Sequence, residues 1–351
     1  MSFFGFSKHS RLGVDIGASS IKIVELEKHG GNFELKTFGS FPLQQSIIRA
    51  AGAQLEQNIA KTLSDLASKV NVKTKTAVSS LPGFAVFTSI VDLPELSEKD
   101  RAFAIQSEAA KYVPAPLEEV VLDWKEVEDI DYGGGRVGKR ILLIAAPRDY
   151  VEKFSNIFSE TSFTLDALEI GSFALARSLI REPQVNTVIV DMGSSTTDVS
   201  IVSGGALFVN RTIDKGGQDL TGIIARSMKI DVVRAEQFKH DMDLAVLATP
   251  GGVSSAPMVG AIKPILDSII YEVQRVVNTF NGQYSRQVER VILTGGASGL
   301  RNFGNYFQAV LKIPVEIGNP WLKVSYPKEY EKVLMDIAPS FATACGLAMR
   351  E

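Results

Sequence analysis

The pattern of apolar and polar positions marks two stretches of this chain as copies of one device. Between Leu12 and Leu26 an apolar run reaches Asp15, passes through Gly17, Ala18, Ser19 and Ser20, and resumes at Ile21, Ile23 and Val24. Between Val188 and Val202 the order returns: a β-branched run to Asp191, a small polar turn from Gly193 to Thr197, and a second run from Val199. Each predicts strand, tight turn, strand. Such a turn crowds backbone N–H groups and hydroxyls beside one carboxylate. Phosphate oxygens suit the amides, and Mg²⁺ suits the carboxylate through water. Neither stretch is a P-loop, because Gly-x-x-x-x-Gly-Lys-Ser/Thr does not occur. Strand rather than helix follows each glycine, which sets aside a dinucleotide fingerprint. One copy alone would be an ordinary hairpin; two in one chain point to duplication.

The remaining pattern supplies elements around these hairpins. Phe33 to Phe41 predicts a third strand, and Leu55, Ile59, Leu63, Leu66 and Val70 fall at helical spacing. Thr76 to Leu81 is a further strand, ended by Pro82 and Gly83. From Phe84 to about Asp166 the character changes. Phe84 to Leu93 alternates as a strand, Ser97 and Asp100 open a helix to about Tyr112, and Pro114 and Pro116 stop it. Val120 to Val127 and Arg140 to Ala146 flank a loop of Gly133, Gly134 and Gly135, and Asp149 to Ser159 is a second helix. That order, strand–helix–strand–strand–helix, describes a small α+β module.

A second echo follows: Ser172, Phe173, Ala174, Ala176 and Leu179 recur in the same spacing as Ser340, Phe341, Ala342, Ala344 and Leu347. Small residues on a helix face permit close helix crossing, so each half would own one hairpin and one such helix. Ala206 to Ile213 predicts a strand leading to Gly216 and Gly217, then a helix through Ile224. Glu236 and Lys239 lie on a later helical stretch, Thr249 to Pro257 is a loop, and Ile262 to Phe280 marks a long core-facing helix. Val291 to Thr294 predicts a strand delivering Gly295 and Gly296, with a helix after them. Paired glycines let a flat ligand lie on bare backbone, beside a helix N-terminus.

Bulk properties narrow the function classes. A chain of 351 residues suits two domains or a duplicated pair. A formal charge of −3 without a basic block argues against nucleic acid as a partner. A lone cysteine, Cys345, excludes an internal disulfide framework and reads as a packed thiol. No apolar run approaches a membrane span, and the opening Met-Ser-Phe-Phe-Gly-Phe lacks the basic flank of a signal peptide. His9, His29 and His240 show no metal-ligand spacing. Trp124 and Trp321 read as core or surface-edge aromatics, with the wall of a peptide groove as the alternative.

These motifs, in order over essentially the whole chain, resemble the actin-like ATPase superfamily, which includes actin, DnaK-type chaperones, sugar kinases and the divisome protein FtsA. Within it the chain looks most like the PilM family of type IV pilus assembly proteins. The resemblance implies an α/β fold of two duplicated actin-like (ribonuclease H-like) halves, with the α+β module inserted in the first. It places residues 10–83, 166–185 and 337–351 in the first half and 84–165 in the module. Residues 186–214 and 282–336 form the second half, with 215–281 as its nucleotide-side subdomain. ATP and Mg²⁺ are the implied cofactors. Asp15 and Asp191 would face each other across the cleft and hold the hydrated metal. Gly17, Ser19, Ser20, Gly193, Ser195, Thr196 and Thr197 would cradle phosphates, with Lys22 adding positive charge. Gly216 and Gly217 would lie beside the nucleotide, Glu236 and Lys239 at the ribose, and Gly295 and Gly296 at the adenosine. Glu169 has two readings, the acid that orients attacking water and a cap on the helix beginning near Gly171. Asp198 likewise reads as a site carboxylate or a strand-face residue.

In function, the resemblance implies a cytoplasmic ATP-binding scaffold of the pilus inner-membrane platform, with at most weak ATPase activity. It would recruit the N-terminal cytosolic peptide of PilN into a groove between the module and the first half, alongside other platform proteins. Attachment to the inner membrane would be peripheral, through that partner, because FtsA ends in a membrane-targeting helix with no counterpart after Met349. The alternative is an FtsA-like filament-forming division protein, for which self-association is the expected partner class. A metabolic kinase would need a second substrate pocket and a general base that the sequence does not offer, and a related secretion-system domain would differ mainly in its partner.

Overall fold

A computed structural model describes residues 9–43, 52–248 and 257–351. The first hairpin consists of β1 (His9–Ile16) and β2 (Ser20–His29), extended by β3 (Asn32–Pro42). Leu12, Val14, Ile21 and Ile23 are fully buried, as expected for aliphatic residues on the covered faces of a pleated strand pair. Helix α1 (Ala53–Lys69) buries Ile59, Ala60, Leu63, Leu66 and Ala67, and Val70 falls on its C-cap. Strand β4 (Thr76–Leu81) follows.

Strand β5 (Phe87–Pro94) starts later than the alternation predicts, because Pro82 leads a 3₁₀ turn over Gly83–Ala85. Helix α2 (Glu98–Tyr112) has the expected cap: the Ser97 hydroxyl accepts the Asp100 amide and donates to the Asp100 carboxylate at 2.6 Å. Strands β6 (Val120–Asp131) and β7 (Val137–Pro147) flank the triple-glycine turn, where all three residues take positive φ. Helix α3 (Arg148–Ser159), β8 (Thr164–Ile170) and α4 (Gly171–Leu179) come next. The second hairpin is β9 (Thr187–Met192) and β10 (Thr197–Ser203), followed by β11 (Ala206–Ile213), α5 (Gly217–Met228), α6 (Val232–Asp241) and α7 (Pro257–Tyr284). Strand β12 (Arg290–Thr294), α8 (Phe303–Leu311), β13 (Val315–Ile317), β14 (Val324–Ser325), α9 (Glu331–Ile337) and α10 (Ala342–Ala348) complete the order. The opening phenylalanines and residues 249–256, most of the expected loop, lie outside the described residues.

The chain divides into two compact units. One comprises Met1–Leu81, Lys153–Leu179 and Gly318–Glu351, the other Pro82–Glu152 and Ile180–Ile317. In the first, the sheet order is β14-β3-β2-β1-β4-β8; in the second it is β11-β10-β9-β12-β13. Apart from β14 these are one topology. A hairpin and its third strand run antiparallel on one side, and two parallel strands extend the other. The second unit also holds a three-stranded sheet, β5-β7-β6. Ile105 and Ala109 of α2 pack there with Val91, Leu93, Ile141, Leu143 and Ala145.

Several expected boundaries move, and residues 82–83 and 180–185 fall in the second unit. Residues 318–336, expected in the second half, belong to the first unit, where β14 pairs with β3. Trp321 anchors this segment: it is 1% exposed, lies 6.3 Å from the Phe38 ring and 6.2 Å from Phe341, and donates its indole N–H to the Leu334 carbonyl. The module does not run to 165 either, since β8 pairs along β4 from Thr164 and the division falls within α3.

The small-residue echo serves helix crossing within the first unit. A Cβ on Gly346 of α10 would lie 2.5 Å from the carbonyl carbon of Ala174 on α4, and one on Gly13 of β1 would lie 2.6 Å from the amide of Ala348. The Ser178 hydroxyl donates to the Ala342 carbonyl at 2.9 Å across the same crossing.

Candidate functional site

Both hairpins close with the same turn. The Gly17 amide donates to the Ser20 carbonyl at 2.9 Å, and the Gly193 amide to the Thr196 carbonyl at 2.9 Å. In register, Asp15 opposes Lys22 and Asp191 opposes Asp198. Opposed residues of an antiparallel pair share a face, so the two copies differ in one charge beside the aspartate. Lys22 Nζ stands 3.9 Å from Asp15 Oδ2. Burial pushes the Asp15 carboxyl above the usual carboxylate range, and the Lys22 charge acts the other way.

The second turn is held from behind by the start of α5. The Gly217 amide donates to the Gly193 carbonyl at 2.9 Å, and the Gln218 amide to the Ser194 carbonyl at 2.8 Å. A Cβ on Gly216 would lie 2.7 Å from the Ser194 carbonyl oxygen, so glycine is needed for this approach. Gly295, at φ +86°, comes against the Asp191 carboxylate, and a Cβ there would lie 2.5 Å from the Met192 carbonyl oxygen. Lys239 is buried, with Nζ 3.3 Å from the Gly217 carbonyl, 3.0 Å from the Thr221 hydroxyl and 2.7 Å from the Glu236 carboxylate. Burial raises the Glu236 pKa, but Lys239, Thr221 and His240 outweigh it and hold the carboxyl below the usual range. Asp191, Gly193, Gly216, Gly217, Glu236, Lys239 and Gly295 are thereby joined through direct contacts within one unit.

Over residues 13–351 the chain matches the family model described as type IV pilus assembly protein PilM. The chain belongs to the PilM family. A solved PilM–PilN type IV pilus biogenesis complex is similar at 25% identity and a TM-score of 0.83, covering 97% of this chain and 98% of that one. MreB5 of Spiroplasma citri bound to AMPPNP shares the fold at 13% identity and a TM-score of 0.51, covering 96% and 94%. The cell division protein FtsA of Borreliella burgdorferi is 22% identical over 387 residues, covering 98% of this chain and 91% of that protein. The fold is that of the actin-like ATPases with duplicated halves, in a family of pilus assembly proteins. Among the described residues no helix is long and apolar enough to cross a membrane.

The PilM-family chain offers a donor set that fits a magnesium nucleotide. Each turn leaves hydroxyls for a ligand: Ser19, Ser20, Ser195 and Thr196 make no side-chain hydrogen bond among the described residues. Each also carries an aspartate on the strand entering it. Nothing would meet a Cβ on Gly296, which leaves open backbone next to Gly295. Several expected roles change, however. The Thr197 hydroxyl donates to the Lys215 carbonyl at 2.8 Å and is fully buried, so it shapes the turn and does not face a ligand. Gly216 and Gly217 contact the turn's own carbonyls, and Asp219 accepts the Gly216 amide at 2.8 Å, so these residues support the site from behind. The expected helix after Gly296 is a 3₁₀ turn, Gly296–Gly299. The Ser298 amide and hydroxyl both close on the Gly295 carbonyl, and α8 begins only after Asn302 in left-handed conformation.

Glu169 meets neither of its two expectations. Its oxygens receive Arg177 at 2.9 Å twice and Arg350 at 2.6 Å, with the side chain 4% exposed. A carboxylate whose oxygens are taken by two guanidinium groups is engaged in an ion-pair network and is turned to neither an attacking water nor a helix N-terminus. Glu169→Ala is expected to cost about 3 kcal/mol, because two partly buried arginines lose their counter-charge. Urea unfolding would check this: an unchanged midpoint would mean that the two arginines do not depend on the carboxylate.

Asp198, the other carboxylate with two readings, lies opposite Asp191 in the hairpin register. Burial pushes its carboxyl up to about 6, and the Thr212 hydroxyl bond to Oδ1 works downward. Comparing the two copies position by position would have found it, since Lys22 and Asp198 hold the same place after their aspartates. His29 does join a cluster, with Glu27 and Glu34 offering ligand atoms within 4.8 Å of one another. The β2–β3 pairing assembles it, and the Lys36 ammonium already lies 3.0 Å from Glu27 and 3.1 Å from Glu34. Of the tryptophans, Trp321 is core and Trp124 is a half-exposed strand-edge residue facing Arg101. Cys345 is fully buried, and burial drives its thiol pKa far upward.

Proposed function

We propose that this chain binds Mg-ATP and serves as the nucleotide-dependent scaffold that brings the N-terminal cytosolic peptide of PilN to the type IV pilus inner-membrane platform. The observation that carries nucleotide binding is the pair of identical Gly-to-Ser/Thr turns, each beside an aspartate. Asp191 and Asp15 would hold the hydrated metal. The amides and hydroxyls of Gly17, Ser19, Ser20, Gly193, Ser195 and Thr196 would take phosphate oxygens, with Lys22 as the added positive charge. The exposed side of Glu236 suits a ribose hydroxyl, and Gly295 with Gly296 suits a flat base. When bound, Mg-ATP supplies a γ-phosphate whose presence or loss changes the charge these turns must balance. Asp198, whose carboxyl burial pushes up to about 6, is the carboxylate beside this turn suited to accept a proton from water.

Family membership and the likeness to a PilM–PilN complex support PilN as the partner, with membrane attachment through that partner. A synthetic peptide of the PilN N-terminal cytosolic segment, titrated with and without Mg-ATP, is expected to bind with a Kd on the order of micromolar. The Kd should differ several-fold between the two conditions. No heat at millimolar peptide in either condition would remove PilN as the partner. The near full-length likeness to FtsA favours one second reading, a filament-forming protein. Mg-ATP-dependent pelleting on ultracentrifugation would favour it.

A further inference from the structure

The turn that opens the three-stranded sheet presses on the second phosphate hairpin. Pro82 leads it, and it closes through Ala85 N–H to the Pro82 carbonyl at 3.0 Å and Val86 N–H to the Gly83 carbonyl at 3.3 Å. A Cβ on Gly83 would lie 2.5 Å from Asp198 Oδ1, 2.8 Å from its Cγ and 2.9 Å from Oδ2. Gly83 is not among the glycines with positive φ, so its backbone does not require glycine. The carboxylate does. On its other side Asp198 is held by Thr212 of β11, its cross-strand partner.

Both walls around this carboxylate connect to the inserted sheet. The Gly83 turn runs directly into β5, and the Thr88 hydroxyl of β5 donates to the Asn210 carbonyl of β11 at 3.3 Å. Phe84, inside the turn, stacks edge-on against Tyr150 of α3 with ring centroids 6.1 Å apart. The far side of the sheet is tied to the same unit: Glu128 of β6 pairs with Arg286 at 2.5 Å, and Arg140 of β7 lies 5.0 Å over the Tyr284 ring.

We propose that the Pro82–Ala85 turn is a positioning element that fixes the Asp198 carboxylate in the phosphate site and so couples nucleotide occupancy to the inserted sheet. This rests on the nucleotide binding proposed above. Asp198 shares a sheet face with Asp191, so a bound metal and polyanion change the field on its carboxylate. Only a residue without a Cβ lets the turn approach that carboxylate so closely, and Val86 alone separates the turn from β5. Linkage makes the effect reciprocal: a partner that displaces β5 changes nucleotide affinity by the same factor.

The test combines hydrogen exchange over residues 82–94 with Mg-ATP calorimetry on the full chain. In the parent, exchange of this segment should slow several-fold when Mg-ATP is added. Gly83→Ala should raise the Kd for Mg-ATP about tenfold, a coupling of ordinary size. Phe84→Ala, which removes the ring stacked on Tyr150, should reduce the nucleotide-dependent protection and keeps the test decisive if Gly83→Ala fails to fold. A parent that binds Mg-ATP with no change in exchange overturns the coupling, as does parental behaviour of both variants. A parent that binds no Mg-ATP overturns nucleotide binding itself, and this inference with it.

Discussion

Asp191→Ala is expected to weaken Mg-ATP binding at least about a hundredfold while leaving the fold intact. Asp191 is the last charged residue of β9, with Asp198 opposite it, Thr294 beside it in parallel register and Gly295 against its carboxylate. The core contribution of the strand comes from Val188, Ile189, Val190 and Met192, all essentially buried and untouched by the substitution. Removing the carboxylate therefore removes charge from the turn without opening a cavity beneath it. Losing a charge-assisted partner of a bound cation costs about 3 kcal/mol, which is roughly a hundredfold in affinity. Asp191→Asn keeps the shape and loses the charge, so it should behave as the alanine variant does. Calorimetry with circular dichroism reads both; unchanged affinity with parental dichroism would mean that phosphate is not bound at this turn.

The second large effect concerns the helix crossing in the first unit. Glycine in a helix interior normally costs up to about 1 kcal/mol relative to alanine, so Gly→Ala at an open site stabilises. Gly282 of α7 is such a site, with nothing within 4 Å of a built Cβ. Gly346 is the opposite case. Its Cβ would overlap the Ala174 backbone, and backbone cannot rotate aside as a side-chain tip can. Separating α10 from α4 would also disturb the Ser178 bond to Ala342 and the Arg177 bond to the Gly346 carbonyl. Gly346→Ala is expected to destabilise by about 3 kcal/mol, whereas Gly282→Ala should stabilise by about 0.5–1 kcal/mol. Urea midpoints of the two variants should move in opposite directions. Equal shifts would remove the close crossing as the reason for glycine at 346.

What the sequence made legible is what local pattern encodes. Strand alternation and small polar turns mark both hairpins, and their repetition encodes the doubled topology of the two sheets. Helical spacing located α1 and α7, and Ser97 with Asp100 located the start of α2. Contacts between distant positions stayed hidden. Glu169 reads as a water-orienting acid or a helix cap, and its pairing with Arg177 and with Arg350 at the other end of the chain is not encoded in local pattern. Thr197 looked like its neighbours Ser195 and Thr196, and only the carbonyl of Lys215 distinguishes it. The segment around Trp321 joins the first unit through the aromatic cluster with Phe38 and Phe341, a contact between positions far apart in the chain that local pattern does not encode. Gly83 passed as a strand-ending residue, since nothing nearby in sequence announces the Asp198 carboxylate against it.

The most direct test is a crystal structure of the chain grown with Mg²⁺ and AMPPNP. The account predicts phosphate oxygens on the amides and hydroxyls of Gly193, Ser195 and Thr196, with the metal's water shell on Asp191. A nucleotide seated elsewhere, with those hydroxyls facing solvent, would contradict it.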